Sequence, residues 1–392
     1  EMKPKEIDPR QTYGEEWDSA RSKEQKSWHD NGVYKSRRLS DLSKGTKVVS
    51  TRWVYTRKDD GTAKARLTVR GDLEKRHDYK IGMDPVPADS PTVSRVGLRM
   101  FFAIAAQANW NLVNFDVPTA FLQQDKSYME NRRQKLYLKP PPELRKFDDE
   151  VWECDKVPYG CTDAPRAWYF TLTKWIKEQQ GRPVAGDGCI YTFYDKTGHL
   201  RGQLVVHVDD GIMAGTDAFL KEMRYLLKSK WKIENFEQND FKFCGLWVQK
   251  KKRDVYVTQD KYSDMVSEIH MERARAAQTT QKMTPSEIKE VQSVAGAANW
   301  MSTQTRPDLS FDVSELVGLI SHDGTVACIK KANKLVKKIK ASRYSVTPPL
   351  SEINTKRWAC SRSLPSRRRQ LSTEMPPREG PIRTMLPFQR LF

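Results

Sequence analysis

Apolar positions recur with period two in some stretches and period 3.6 in others, and the two periods divide the chain into strands and helices. Lys47 to Lys58 alternates like a strand, Asp59-Asp60-Gly61 supplies a turn, and Ala63 to Gly71 returns as a second strand. Trp110 to Leu122 reads as a strand carrying Asp116 at its end, and Pro118, which cannot donate to a ladder, predicts that pairing loosens just afterwards. Tyr191 to Tyr194 and a turn at Lys196-Thr197-Gly198 lead into Gln203 to Gly215. There an apolar, β-branched run enters Asp209-Asp210, passes Gly211 and leaves through a second apolar run. Asp-Gly between apolar runs predicts a hairpin with both acids at its tip. Phe241 to Val248 and Asp254 to Thr258 read as a further hairpin.

Helical spacing places Val93, Val96, Met100, Phe101, Ile104 and Ala105 on the core face of a helix over 94–109. Asp163 is suited to cap a second helix, with Pro165 in its first turn, Ala167, Trp168, Leu172, Trp175 and Ile176 inward, and Gly181 at its end. Thr216 or Asp217 caps a third, with Leu220, Met223, Leu227 and Trp231 inward; segments 287–300 and 330–340 are also helical, the last strongly basic. The class is α+β. Residues 1–45 form a polar, partly helical lead-in with Trp17 and Trp28 as isolated anchors. A mixed body covers 46–270, a helical region 271–347, and a basic tail 348–392. Residues 272–288 read as polar and flexible, and the tail, dominated by Pro, Ser and Arg without periodicity, as disordered. There is no internal repeat.

The chain's 392 residues suffice for two or three packed subdomains, and 68 Lys+Arg against 50 Asp+Glu leave a net charge of +18. A polyanionic partner follows, nucleic acid first; a solvated surface with a basic tail is the plainer alternative. Nine Lys or Arg and two Glu lie from Ile353 onward, so a balance of +11 is spread through the body, which favours a broad basic groove. The six cysteines show no Cys-x-x-Cys spacing, so neither a zinc site nor a disulfide framework is indicated and a reducing intracellular setting is expected. No run is long enough for a membrane span and no signal peptide opens the chain; its start at Glu1 reads as a piece of a longer polypeptide.

One carboxylate at a strand end and two at a hairpin tip is the supply that two divalent cations need. Such a pair, roughly 3.5–4 Å apart, can activate an attacking hydroxyl and stabilise a leaving phosphate. Mg²⁺, a hard cation, prefers these oxygen ligands. Val-Asp-Asp-Gly taken alone is more often only an ordinary turn, where Asp bonds its own backbone. Lys64, Arg66 and Arg70 alternate on one face of their strand, where they either grip a triphosphate or form a solvated face.

The order of these pieces resembles reverse transcriptases, and the wording resembles the copia-type retrotransposon enzymes. Lys64-Ala65-Arg66-Leu67 with Arg70-Gly71 is similar to Lys-Ala-Arg-Leu-Val-x-Arg-Gly, and Phe115-Asp116-Val117-Pro118-Thr119-Ala120-Phe121-Leu122 to Leu-Asp-Val-x-x-Ala-Phe-Leu. Tyr159-Gly160 with Ala164-Pro165-Arg166-Ala167-Trp168 resembles Tyr-Gly-Leu-Lys-Gln-Ala-Pro-Arg-Ala-Trp, and Val208-Asp209-Asp210 the end of Tyr-Val-Asp-Asp. Phe243-Cys244-Gly245 is similar to Phe-Leu-Gly, and Thr305-Arg306-Pro307-Asp308-Leu309-Ser310 to Thr-Arg-Pro-Asp-Ile-Ser. The six motifs are collinear, and the resemblance runs from about residue 28 to 344.

The resemblance implies a right-hand polymerase: fingers and palm with an antiparallel sheet over 46–270, then a thumb or connection-like helical part. It implies an RNA-directed DNA polymerase, the polymerase portion of a Pol polyprotein. Asp116, Asp209 and Asp210 would be catalytic and would hold two Mg²⁺ ions, with Mn²⁺ as an alternative. Lys64, Arg66, Phe121, Tyr159 and Gly160 would bind the deoxynucleoside triphosphate, Phe121 excluding a ribose 2′-hydroxyl. Arg70, Phe243, Cys244 and Gly245 would meet primer and template. The implied partners are an RNA and DNA template-primer and dNTPs, with no membrane, in a cytoplasmic particle. Three departures stand out: His207 where Tyr is usual, Cys161-Thr162-Asp163 in place of Leu-Lys-Gln, and a C-terminal end without the acids of an RNase H domain. They keep a second reading open, a degenerate relic that binds nucleic acid without polymerising.

Overall fold

A computed structural model describes residues 6–58, 60–74, 88–132 and 134–341, all within one compact unit. Helix α1 (Glu15–Asp30) precedes β1 (Tyr34–Arg38), β2 (Val48–Arg57) and β3 (Ala63–Val69). Helix α2 (Arg95–Gln107), capped by the Ser94 hydroxyl, leads into β4 (Asn111–Asp116), then β5 (Tyr137–Lys139) and β6 (Glu150–Cys154). Helix α3 (Ala164–Glu178) is followed by β7 (Arg182–Val184), β8 (Asp187–Tyr194), β9 (Leu200–His207) and β10 (Asp210–Gly215). Helix α4 (Asp217–Trp231), capped by Thr216, precedes β11 (Phe236–Gln238), β12 (Asp240–Phe243), β13 (Leu246–Lys251) and β14 (Asp254–Thr258). Helices α5 (Pro285–Gln304), α6 (Ser310–His322) and α7 (Ala327–Ala341) complete the described chain.

The strands form three sheets: β1-β6-β5-β2-β3, antiparallel but for the parallel β2–β5 pair; β11-β4-β10-β9-β8-β7, antiparallel throughout; and β12-β13-β14. The six-stranded sheet is the frame of the site. One of its faces buries Val113, Phe115, Leu204, Val206 and Met213 under α3 and α4, with Trp168 and Trp231 edge-on at 4.9 Å. The other buries Leu112, Val205 and Ile212 against α2 and the three-stranded sheet. Coverage of both faces explains why successive positions are buried and apolar at Leu112-Val113 in β4, Leu204-Val205-Val206 in β9 and Ile212-Met213-Ala214 in β10. Helices α5 to α7 enclose a separate core around Val291, Leu316 and Val336, and a capping box at Thr284 and Glu287 starts α5.

Four expectations change. Val96 and Met100 lie outside the core, 67% and 45% exposed, because α2 buries the 98/101/102/105/106 face instead. Trp17 and Trp28 are not isolated anchors: both are buried in the core of the first sheet, and Trp28 lies 5.8 Å from Trp152. The 272–288 segment, read as flexible, contains a helical turn at Arg273–Ala277, with Arg275 forked onto Glu287 at 2.8 and 2.9 Å. Asp163 precedes α3 without capping it, its carboxylate being taken by Arg132. The expectation of a disordered tail falls on residues outside those described.

Candidate active site

Asp210 pairs with His207 on one side and with Asp116 on the other, so β9 and β10 are joined by a two-residue turn, Val208-Asp209. Val208, not glycine, takes the left-handed conformation there, at φ 59°. A β-branched residue is strained in that region, and such strain persists only where surrounding structure over-determines it. Two bonds do so: Trp168 Nε1 donates to the Val208 carbonyl at 2.7 Å, and the Val117 N–H to the Asp209 carbonyl at 3.1 Å. Gly211, which the sequence suggested as the turn residue, lies within β10. A Cβ there would stand 2.2 Å from Phe115 Cζ, so glycine is needed to seat that ring.

The three acids therefore gather at one end of the sheet. Asp116 is exposed, yet the protein around its carboxyl raises its pKa by desolvation, and the neighbouring Asp209 raises it further; Lys64 and Arg66 act in the opposite direction. Lys64 is held below the ordinary lysine value by burial first, then by Arg66 and Lys58. Two carboxylates in mutual repulsion, with only hard oxygen donors, fit a divalent cation. Among the described residues no group of three or more His, Cys, Asp or Glu side chains is arranged to hold a metal ion by itself. Mg²⁺ is commonly bound by one or two carboxylates, with substrate phosphates and water supplying the rest.

Across from the acids, Lys64 and Arg66 project from the exposed face of β3 while Ala65, Leu67 and Val69 are buried. The Arg66 guanidinium lies 5.7 Å from the Tyr159 ring centroid, and Phe121 meets Tyr159 edge-on at 5.5 Å. The Tyr159 carbonyl accepts from the Val69 N–H at 2.7 Å. Gly160, at φ 91°, lies so close that a Cβ would be 2.1 Å from the Val69 carbonyl oxygen. Burial raises the Tyr159 hydroxyl pKa, and the charges of Glu24, Asp209 and Asp116 add to it while Arg66 acts in the opposite direction.

Arg70 follows β3 and is exposed, 3.8 Å from Asp72. Phe243 is 1% exposed and turns inward, its ring 6.4 Å from His207, so it supports the β12–β13 turn from within. Cys244 and Gly245, both at positive φ, make that turn, and Gly245 sits against the Trp300 indole. His207 thus lies between the acidic turn and this second hairpin. Among the described residues five cysteines occur, none in a disulfide.

Sequence reasoning missed Glu24. Its Oε1 is buried between Trp28 Nε1 at 3.0 Å and the Leu67 N–H at 3.2 Å, with Arg66 and Lys64 within electrostatic reach. Trp17, Glu24 and Trp28, spaced seven and four apart, share one helix face, and that spacing was the available signal. Helical spacing marks Trp168 as core and carries no signal for the bond of its indole to the turn.

The chain belongs to the reverse transcriptase (RNA-dependent DNA polymerase) family, whose model matches residues 34–286. Its relatives bear out the copia-type resemblance. It is 26% identical over 338 residues to the retrovirus-related Pol polyprotein from transposon TNT 1-94 of Nicotiana tabacum, covering 78% of this chain and 24% of that protein. It is 25% identical over 288 residues to the Pol polyprotein from transposon RE2 of Arabidopsis thaliana, covering 69% and 19%. Against the transposon Ty1-H Gag-Pol polyprotein of Saccharomyces cerevisiae it is 27% identical over 219 residues, covering 55% and 11%. The chain spans about a quarter or less of the length of these relatives. No helix among the described residues is long and apolar enough to cross a membrane.

Proposed function

We propose that this chain is the polymerase portion of a Pol polyprotein: an RNA-directed DNA polymerase that extends a primer on an RNA or DNA template. The supporting observation is the gathering of Asp116, Asp209 and Asp210 at one sheet end, across from Lys64, Arg66 and Tyr159. In this reading the first two sheets are fingers and palm, and α5 to α7 are the thumb or connection-like part. Asp116 and Asp209 hold two Mg²⁺ ions, for which Mn²⁺ can substitute, and Asp210 completes the acidic cluster. The ions, when bound, supply activation of the primer 3′-hydroxyl and stabilisation of the leaving pyrophosphate. The strained Val208-Asp209 turn fixes one carboxylate, and Lys64 and Arg66 neutralise the triphosphate of an incoming dNTP. Phe121, beside Tyr159, excludes a 2′-hydroxyl; the Cys244-Gly245 tip, braced by Phe243, and Arg70 meet primer and template. The setting is intracellular, in a cytoplasmic particle.

The test is extension of a DNA primer on an RNA template, with Mg²⁺ and with chelator. Metal-dependent extension is expected, lost in Asp210→Asn. Asp209→Asn should lower the rate about a thousandfold or more while leaving template-primer affinity within about twofold. Equal loss of binding and extension would remove the metal role. No extension by the unaltered chain despite tight binding would favour the relic, to which the Cys161-Thr162-Asp163 substitution points; restoring Leu and Lys at 161 and 162, with Asp163 kept, is the next step.

A further inference from the structure

Two segments of the proposed nucleotide pocket cross at a pair of glycines: a Cβ on Gly71 would lie 2.2 Å from the carbonyl oxygen of Gly160. Three residues beyond each crossing point stands a carboxylate, Glu74 and Asp163, and Arg132 joins them. Its Nη2 donates to Glu74 Oε1 at 2.6 Å, its Nε to Asp163 Oδ2 at 3.0 Å, and its Nη1 to the Gln134 carbonyl at 3.1 Å. The three side chains are 2%, 6% and 0% exposed, for Arg132, Glu74 and Asp163. The outer oxygen of Glu74, Oε2, is buried without a hydrogen-bond partner among the described residues, while the Asp163 carboxylate also bears on the Tyr128 hydroxyl. Two acids against one guanidinium, incompletely bonded, is a poor device for stability, since apolar packing of the same volume often does as well. What a forked guanidinium does supply is a fixed angle between the groups it joins.

We propose that Arg132 is a positioning residue for the nucleotide pocket: through Glu74 and Asp163 it locks Tyr159-Gly160 against β3, so that Lys64, Arg66 and Tyr159 keep a set spacing around a deoxynucleoside triphosphate. The inference rests on the polymerase reading and extends it to a residue that touches neither metal nor substrate. The position of Asp163, where the copia-type motif has Gln, makes the clamp a feature of this chain.

The experiment uses the full chain on a template-primer whose primer lacks a 3′-hydroxyl, so that dNTP affinity is read without chemistry. Arg132→Lys keeps the charge but not the fork; it should raise the dNTP Kd about tenfold with template-primer Kd within about twofold. Asp163→Asn should do the same, and Glu74→Gln, which spares the Arg132–Asp163 contact, about threefold. With an extendable primer, KM for dNTP should rise while kcat stays within about threefold. A folded Arg132→Lys chain with unchanged dNTP affinity, or one that loses dNTP and template-primer in parallel, overturns the proposal. Should the unaltered chain bind dNTP but not extend, the polymerase reading fails while the clamp is still judged by the affinity ratio. Should it bind no dNTP, both fall.

Discussion

At Val208 the chain places a β-branched side chain at a positive φ, on the turn that carries Asp209. Val208→Gly should remove that strain and raise stability by about 1 kcal/mol in denaturant titration, the gain being reduced by the freer unfolded chain. Extension should slow, because Asp209 is then less firmly aimed; a variant both more stable and equally fast would show that the strain serves nothing. Asp116 argues the same way in electrostatic terms. Its folded pKa lies above the ordinary 3.8 because the surrounding protein desolvates the carboxyl and because Asp209 is close. A raised carboxyl stabilises the folded chain below the unfolded value, and that contribution is lost as pH rises through the folded value. At neutral pH, without divalent ions, Asp116→Asn should therefore melt no lower than the parent, with the difference closing as pH falls through the carboxylate range. Extension should meanwhile be abolished. A melting temperature well below the parent's at pH 7 would mean that Asp116 is a structural residue.

The elements show how a site is held by pairs that lie far apart in sequence. Phe115 on β4 and Gly211 on β10 are register partners, and the ring fills the space a Cβ would take. Gly211→Ala should cost about 1–3 kcal/mol by overpacking. Phe115→Leu in the same chain should recover part of that loss, a non-additivity expected of touching residues; strictly additive effects would place the fault elsewhere. This pair also marks what was legible. The Asp209-Asp210 hairpin and Asp116 at a strand end could be read because apolar runs and Pro118 are local signals. That Val208 rather than Gly211 takes the turn could not, since the turn is held by Trp168 and Val117, both far away in sequence, and Gly211 is kept for the Phe115 ring. The burial of Glu24 under β3 and the joining of Glu74 to Asp163 by Arg132 are likewise long-range events. Local periodicity describes which face of an element is apolar, and leaves open which other element comes to meet it.

On the scale of the whole chain, charge separates two ways of holding a polyanion. The net +18 divides into +7 from Ile353 onward and +11 before it, and the compact unit that carries the acids and β3 ends at residue 353. If nucleic acid is held in a groove of that unit, a chain ending at Ile353 should still bind template-primer at low salt, with more than half of the favourable charge retained. Every phosphate that the shorter chain leaves un-neutralised lowers the slope of log affinity against log salt by about 0.9 on a duplex, or about 0.7 on a single strand. A fluorescent template-primer titrated from about 50 to 200 mM salt would compare the two chains over the range in which such slopes are well resolved. A shallower slope with tight low-salt binding and undiminished Mg²⁺-dependent extension would assign recognition to the groove and leave the tail an auxiliary role. Loss of binding by the shorter chain, with its thermal transition intact, would instead make the arginine-rich end the principal anchor, and the basic face of β3 would then act on the triphosphate alone.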